Sequence, residues 1–223
     1  MPNAAIALPP PLVEGDHLDS AEFLRRWEAM PDLYRAELLG GAVSMPSPVS
    51  AGHGTTQSAV TGWLNFYEAL TPGCVSATDS TWVMGQRDVP QPDVSLRVLP
   101  EHGGQSRMEG RYTAGAPELI VEVAMTSHSR DLRTKLQIYE RAGVQEYITA
   151  LVPEKKLIWR VLTEGKYKTI APTGGVYRSR VFPGLWLDVA ALWRGDKRAL
   201  KAMVEVGTAT EAHAQFAARL RKA

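Results

Sequence analysis

A carboxylate stands in the middle of an apolar segment of this chain. The segment is Leu119-Ile120-Val121-Glu122-Val123-Ala124-Met125, and its near-continuous apolar character predicts a strand that is buried on both faces. An ionised carboxylate there costs several kcal/mol unless a metal ion, a basic partner or a proton compensates it. Glu122 is therefore either part of a functional site or one half of a buried ion pair with an arginine.

A lysine on the next predicted helix points toward the same core. If successive helical residues are about 100° apart and Asp131 is set at zero, Lys135 falls at about 40°, inside the arc of apolar side chains. We therefore expect Lys135 to meet Glu122. Two alternatives remain: Lys135 extends along the helix edge into water, or it pairs with Asp131 one turn earlier.

Asp93 offers a second carboxylate for the same site. It follows Pro90-Gln91-Pro92 and opens an apolar strand, and the prolines stiffen the entry to that strand. Pro-Asp alone is typical of turns. Together with Glu122 on a following strand, however, Asp93 provides two oxygen donors for one hard divalent cation. The sequence thus predicts a metal site with Asp93 and Glu122 as ligands.

Two further side chains are candidates for this site. Glu37 lies in the first predicted strand and is either another acidic ligand or an ordinary strand-face carboxylate. His53 lies in the first turn of a long helix and shares a face with Val60, Leu64 and Tyr67, so we expect it to point inward. An inward histidine is more often a core residue than a catalytic one.

The order of the predicted elements indicates an α/β or α+β domain with a mixed sheet. We expect a short helix after Asp19, a hairpin turning at Gly40-Gly41, and a long helix that ends before Pro72-Gly73. Extended segments, a helix ending at Gly143, a strand and a hairpin at Glu164-Gly165 follow. Residues 101–115 are expected to form a polar loop, and two tail helices to separate around Gly207.

Charge divides the chain into a body and a tail. The net charge is +1, but from Arg194 onward seven Lys or Arg residues face three acids, which gives the tail +4 and the body −3. We divide the chain into a Pro-rich leader (1–17), a main domain (18–193) and a basic helical tail (194–223). Lys197, Arg198 and Lys201 are expected to contact nucleic acid. The apolar stripe Ala212, Phe216 and Leu220 instead favours packing on the body or on a second subunit.

The only cysteine, Cys74, excludes an internal disulfide and a cysteine-rich zinc site. The N-terminal segment lacks the basic region of a signal peptide, and no stretch reaches the ~20 apolar residues of a membrane span. We therefore expect a cytoplasmic protein that does not enter a membrane.

Several motifs, in order and spacing, resemble the Uma-two family of restriction-endonuclease-like proteins over roughly residues 18–193. They are Glu37-Leu38-Leu39-Gly40-Gly41, Pro48 to His53, Pro92-Asp93-Val94, Val121-Glu122-Val123, Asp131 to Lys135, Tyr139, Ala142-Gly143-Val144, Glu146-Tyr147, Phe182-Pro183-Gly184-Leu185 and Leu187-Asp188. The resemblance implies the PD-(D/E)XK nuclease superfamily, whose fold is a central mixed β-sheet flanked by helices. There the lysine normally stands two residues after the glutamate, a position occupied here by Ala124. The resemblance implies a migrated lysine on the next helix, which Lys135 matches.

The resemblance also implies a function: a Mg²⁺-dependent endonuclease, with Mn²⁺ as a possible substitute, that cuts nucleic acid, expected to be DNA, as a homodimer. Two positions depart from the family pattern, Met125 in place of a serine and Gly40 in place of an acid. The alternative is a non-catalytic nucleic-acid- or protein-binding module that keeps the fold. A small-molecule metal hydrolase using His53 is weaker, because no paired-histidine spacing is present.

Overall fold

The structure, a computed structural model, describes residues 8–33, 35–46, 48–126 and 130–221, without the side chains of residues 130 and 131. Its elements, in chain order, are α1 (Ser20–Glu28), β1 (Glu37–Leu39), β2 (Ala42–Ser44), α2 (Ala51–Leu70), β3 (Cys74–Thr78), β4 (Trp82–Val83), β5 (Val94–Val98), a 3₁₀ turn (Pro100–His102), β6 (Arg107–Glu109), β7 (Tyr112–Ala114), β8 (Leu119–Ala124), α3 (Arg130–Ala142), β9 (Glu146–Leu151), β10 (Lys156–Thr163), β11 (Lys166–Ile170), β12 (Val176–Arg178), β13 (Trp186–Asp188), α4 (Val189–Arg194), α5 (Lys197–Thr208) and α6 (Glu211–Leu220).

A six-stranded mixed sheet forms the centre of the molecule, in the order β11-β10-β9-β8-β5-β3. Only β8 and β9 run parallel; the other neighbours are antiparallel. A parallel pair needs a crossover, which α3 provides, whereas antiparallel neighbours can be joined by short turns. Every residue of β8 is buried, as its apolar sequence predicts. The predicted fold class, a mixed central sheet flanked by helices, is confirmed.

Alternate residues along the strands pack into different clusters on the two faces of the sheet, as the two-residue period of a strand requires. On one face, Leu119 and Val121 join the larger core with side chains of α2, α4, α5 and α6. On the other face, Ile120 and Tyr147 pack against α3. Glu122 follows the period of Ile120, so its side chain lies on the α3 face.

The hairpin of β1 and β2 turns where the sequence predicts. Gly40 and Gly41 have φ of +64° and +87°, which a two-residue hairpin turn of this kind requires and other residues adopt at a cost. Glu37 thereby stands at the start of β1, opposite Ser44.

Two sequence predictions about the elements are wrong in detail. Residues 101–115 are not only loop, because β6 and β7 form a hairpin that joins β4 in a small separate sheet. The break between the tail helices, expected around Gly207, lies two to three residues later, at Ala209 and Thr210. Gly207 lies inside α5 and leaves room for Gly184, because a Cβ on Gly207 would collide with the carbonyl oxygen of Gly184.

The tail helices pack on the body of the molecule. Leu200 and Val204 of α5 and Phe216 and Leu220 of α6 belong to the larger core cluster. Ala212, expected in the apolar stripe, is exposed, and the buried side chain in that turn is His213, whose Nε2 lies 2.9 Å from Thr71 Oγ1. In the described part of the chain, no helix combines the length and the apolar character that crossing a membrane requires.

Candidate active site

One open cavity, with a volume of about 450 Å³, contains all five side chains that the sequence selects. They come from different elements: Glu37 from β1, His53 from the first turn of α2, Asp93 from the residue before β5, Glu122 from β8 and Lys135 from α3. The β5–β8 register, which pairs Val94 with Val121, sets Asp93 beside Glu122 when it is extended by one residue. Residues distant in the sequence thus meet in one place.

Lys135 lies between two carboxylates. Its Nζ is 3.0 Å from Glu122 Oε1 and 2.9 Å from Glu37 Oε1, and Lys135 as a whole is only 7% exposed. The predicted meeting of Lys135 with Glu122 is confirmed, and extension into water is wrong. The alternative partner, the side chain of Asp131, lies outside the described residues.

Glu122 receives a second donor from the same helix. The Tyr139 hydroxyl donates to Glu122 Oε1 over 2.6 Å. Burial raises the pKa of Glu122 to about 7, and the neighbouring Asp93 and Glu37 act in the same direction, while Lys135 and Tyr139 oppose them. For Lys135, burial lowers the pKa, but the attraction of Glu122, Glu37 and Asp93 outweighs it and leaves the pKa above its ordinary value. The ammonium of Lys135 is therefore charged, while Glu122 is a carboxylate whose charge burial disfavours.

Asp93 is fixed by three different donors. The backbone N–H of Val123 donates to its Oδ2 over 2.8 Å, His53 Nε2 lies 3.3 Å from the same oxygen, and Arg35 Nη2 lies 3.4 Å from Oδ1. Burial acts to raise the pKa of Asp93, but the hydrogen bonds from His53 and Val123 and the positive charge of Lys135 together lower it. The hydrogen bond to Asp93 in turn raises the pKa of His53. Asp93 is thus ionised, and His53 lies against it rather than in the apolar core.

The remaining sequence candidate, Glu37, is held by the backbone as well as by Lys135. The N–H of Gln91 donates to Glu37 Oε1 over 2.6 Å. Glu37 therefore lies inside the site and contacts the lysine.

Four residues that shape this site were not among the predicted site residues: Arg35, Gln57, Asp79 and Tyr139. Periodicity gives a signal for three of them. Arg35 stands two residues before Glu37 on an extended segment, Gln57 stands four after His53, and Tyr139 stands four after Lys135, spacings that place side chains on one face. Asp79 follows β3 in a turn, and no pattern in the sequence connects it to Asp93.

The donor set fits a hard divalent cation at an open position rather than an ion enclosed by protein ligands. Among the described residues, no three His, Cys, Asp or Glu side chains are arranged as a metal cage. Asp93 and Glu122 nevertheless line one cavity as adjacent carboxylates. Mg²⁺ usually takes one or two carboxylates and keeps several water molecules or substrate oxygens. The pair supplies such a set, and a cation there would offset the cost of burying the charge of Glu122.

Comparison with known proteins gives the same family that the motifs indicate. Among curated proteins, no sequence matches the chain. Among solved structures, it is similar to a protein from Anabaena variabilis ATCC 29413, described as "a putative nuclease belonging to DUF820", with a TM-score of 0.60 and 15% identity over 77% of this chain and 97% of the other. At that identity the likeness concerns the fold. Residues 21–190 match the Uma2 family, described as "Putative restriction endonuclease". The chain therefore belongs to the Uma2 family.

Proposed function

We propose that this protein is a metal-dependent endonuclease that hydrolyses phosphodiester bonds of nucleic acid, with DNA as the expected substrate. The observation that carries the proposal is the convergence of Asp93, Glu122 and Lys135 in one open cavity, with Lys135 Nζ 3.0 Å from Glu122. Two carboxylates and a lysine are the combination that the PD-(D/E)XK resemblance implies. Family membership and the similar fold support a nuclease.

Asp93 and Glu122 would hold Mg²⁺ or Mn²⁺, together with a backbone carbonyl near Val123. A bound ion would supply neutralisation of charge on the scissile phosphate and a lower pKa for the attacking water. Asp93 is already oriented for this task by the N–H of Val123 and by His53. We therefore expect His53 to orient Asp93, a proposed metal ligand, rather than to coordinate the ion itself.

Lys135 would act on the substrate side. Its ammonium is charged and buried, so it can orient the attacking water or stabilise the negative charge that develops on the phosphate oxygens. Glu37 and Glu122 hold it from two sides, 2.9 and 3.0 Å away, which restricts the lysine to one position. By analogy with the superfamily, the products would carry 5′-phosphate and 3′-hydroxyl ends. A homodimer would supply one site for each strand of a duplex.

A second function, a binding module without catalysis, is favoured by one observation. Both proposed ligands already have cationic partners in the protein: Lys135 contacts Glu122, and His53 and Arg35 contact Asp93. A buried network of this kind can be purely structural. Measuring Mg²⁺ binding by calorimetry separates the two functions, because a purely structural network has no reason to bind the ion.

Cleavage assays test the proposal. Supercoiled plasmid, single-stranded circular DNA and RNA are incubated with the protein in Mg²⁺, in Mn²⁺ and in EDTA. We expect cleavage of at least one substrate only with a divalent ion, and a loss of about 100-fold or more for Glu122→Gln. The matched control is Glu146→Gln, which neutralises another buried carboxylate outside the cavity. Cleavage that persists in EDTA, or equally in both variants, contradicts the proposal.

A further inference from the structure

Arg35 is a cation of the cavity that the roles above do not use. Its side chain lines the cavity, keeps 20% of its surface exposed and lies 3.0 Å from Asp79 and 3.4 Å from Asp93. Both of these contacts, and the one to the carbonyl of Gln91, are made by a single nitrogen, Nη2. One nitrogen of the guanidinium therefore makes all three of these contacts.

The rest of the guanidinium has donors left for a ligand. In the described part of the chain, the buried Nε has no hydrogen-bond acceptor. A guanidinium carries five N–H donors, and leaving a buried donor unpaired costs about 1 to 3 kcal/mol. An arginine with spare donors at a cavity wall is suited to an oxyanion, because guanidinium groups match the geometry of phosphate.

Asp79 contacts Arg35 but is not one of the proposed metal ligands. It has a positive φ of +49°, unusual for a residue other than glycine. Gln57 Nε2 fixes this turn, since it donates to Asp79 Oδ2 and to the carbonyl of Asp93, each over 3.1 Å. Arg35 and Asp79 are close enough to form an ion pair. The angles of the contact are not those of a hydrogen bond, so Asp79 Oδ1 accepts none from the described residues. Asp79 thus holds the guanidinium by charge, while the hydrogen bonds of Nη2 go to Gln91 and Asp93.

The charges in the cavity indicate what Arg35 would contact once a metal ion and a substrate are bound. A divalent cation at Asp93 adds positive charge beside Arg35 and weakens the already long 3.4 Å contact. Asp79 is not one of the proposed ligands, so it keeps its hold on Arg35. A donor released from Asp93 would then be available to a phosphate bound in the same cavity, whose wall Arg35 lines.

We propose that Arg35 binds a non-bridging oxygen of the substrate phosphate and that Asp79 is its positioning residue. The inference rests on the proposed function, because it assigns the substrate contact of that same site. The chemical class of the ligand is a phosphodiester of a nucleic-acid strand or, as a minimal substitute, inorganic phosphate.

Binding rather than cleavage tests the role of Arg35. Fluorescence anisotropy of a labelled duplex oligonucleotide is measured in Ca²⁺ at several salt concentrations for wild type, Arg35→Lys, Arg35→Gln and Arg178→Gln. Arg178 is a matched control, an exposed arginine that stacks on Trp186 with 4.5 Å between its Cζ and the ring centroid. We expect Arg35→Gln to weaken binding about 10- to 100-fold and to reduce the slope of log K against log salt by about 0.9. Arg35→Lys should keep the slope and lose part of the affinity, and Arg178→Gln should match wild type.

The variant Asp79→Asn distinguishes a positioning role of Asp79 from a purely structural one. It should weaken oligonucleotide binding while the salt slope stays at the wild-type value, because the arginine charge is still present, and Asp79→Glu should restore part of the affinity. A reduced slope in Asp79→Asn, or no loss of affinity at all, overturns the positioning role.

Two measurements separate failure of this inference from failure of the nuclease proposal. Mn²⁺ binding without nucleic acid should be unchanged or tighter in Arg35→Gln, since a competing cation is removed; weaker Mn²⁺ binding would make Arg35 a support for Asp93 and overturn the inference. If the wild type binds Mn²⁺ but no oligonucleotide, the nuclease proposal fails. Calorimetry of the Mn²⁺-loaded protein with inorganic phosphate then tests the role of Arg35 alone. Phosphate binding that is lost in Arg35→Gln supports the phosphate contact of Arg35. Phosphate binding that is absent in wild type, or equal in both proteins, contradicts that contact.

Discussion

Two effects disfavour the ionised form of the buried Glu122. Burial disfavours its charge, and Asp93 and Glu37 repel it, so its pKa rises to about 7. Lys135 and Tyr139 offset part of this cost through contacts with Oε1. A carboxylate this poorly compensated favours either a proton or a cation as its partner.

The variant Glu122→Gln should therefore keep the fold and unfold at the same temperature as wild type or a higher one. Neutralising the side chain removes a desolvation cost, Lys135 keeps its 2.9 Å contact with Glu37, and the amide oxygen can still accept from Tyr139. Thermal unfolding followed by circular dichroism measures the effect. If the variant fails to fold, Glu122 is one half of a structural ion pair and the functional assignment is wrong.

At this scale the sequence predicted the residues whose placement is physically unusual. A carboxylate in an apolar strand and a lysine in an apolar helix arc are visible without coordinates, and the structure brings both together with Asp93, Glu37 and His53. Their catalytic roles stay predictions. Asp79 could not be found, because its ion pair with Arg35 depends on how a turn after β3 approaches a different segment.

At the scale of elements, the crossover from β8 through α3 to β9 places the site. Because β8 and β9 are parallel and adjacent, the helix between them must return across the sheet, and Lys135 and Tyr139 therefore lie over Glu122. The sequence predicted this strand, helix and strand. It missed the β6–β7 hairpin, since short strands in a glycine-rich polar segment have no apolar period to reveal them.

Strand β9 begins with a second buried carboxylate that should make stability depend on pH. Burial raises the pKa of Glu146 to about 7, despite donors from Ser179 and Arg180. Between its ordinary pKa and 7, the folded state binds more protons than the unfolded state, so the free energy of unfolding falls as pH rises. The decrease due to Glu146 should be roughly 2 to 3 kcal/mol.

Urea denaturation of wild type and Glu146→Gln from pH 5 to pH 8 checks this effect. The variant should lack the Glu146 part of the decrease and gain relative to wild type as pH rises, while other titrating groups cancel in the comparison. Parallel pH profiles for the two proteins would show that Glu146 does not titrate in this range.

At the scale of the whole molecule, the tail helices complete the core and also carry positive charge. Leu200, Val204, Phe216 and Leu220 pack with the sheet and α2, while Arg194, Lys197, Arg198 and Lys201 are exposed. Deleting residues 195–223 would therefore remove both features at once, and single substitutions are the sharper test.

Leu200→Ala should lower the free energy of unfolding by about 2 to 5 kcal/mol, because Leu200 is fully buried and its truncation leaves a cavity. Val206→Ala on the same helix is the control, since Val206 is 57% exposed and surface changes usually stay within about 0.5 kcal/mol. Chemical denaturation measures both. Equal, small effects would mean that α5 contributes little to the core.

The double variant Lys197→Gln, Arg198→Gln should weaken nucleic-acid binding and lower its salt dependence, each lost phosphate contact reducing the slope by about 0.9. Lys197 Nζ reaches Ser58 Oγ over 2.9 Å on α2, the helix whose first turn holds His53. The control is Arg219→Gln, Arg221→Gln at the C-terminal end of the last helix, with the same charge change. Equal losses in both pairs would indicate only nonspecific attraction, and no loss in either would remove the tail from the interface.

We propose that Asp93 and Glu122 share one divalent ion beside Lys135. A crystal soaked in Mn²⁺, with anomalous diffraction recorded near the manganese edge, shows whether they do. We predict one strong anomalous peak in the cavity, within about 2.0 to 2.3 Å of an oxygen of each carboxylate, and its loss in a Glu122→Gln crystal treated in the same way. A cavity without manganese, or an ion bound elsewhere while Lys135 keeps Glu122 and His53 keeps Asp93, would contradict the claim.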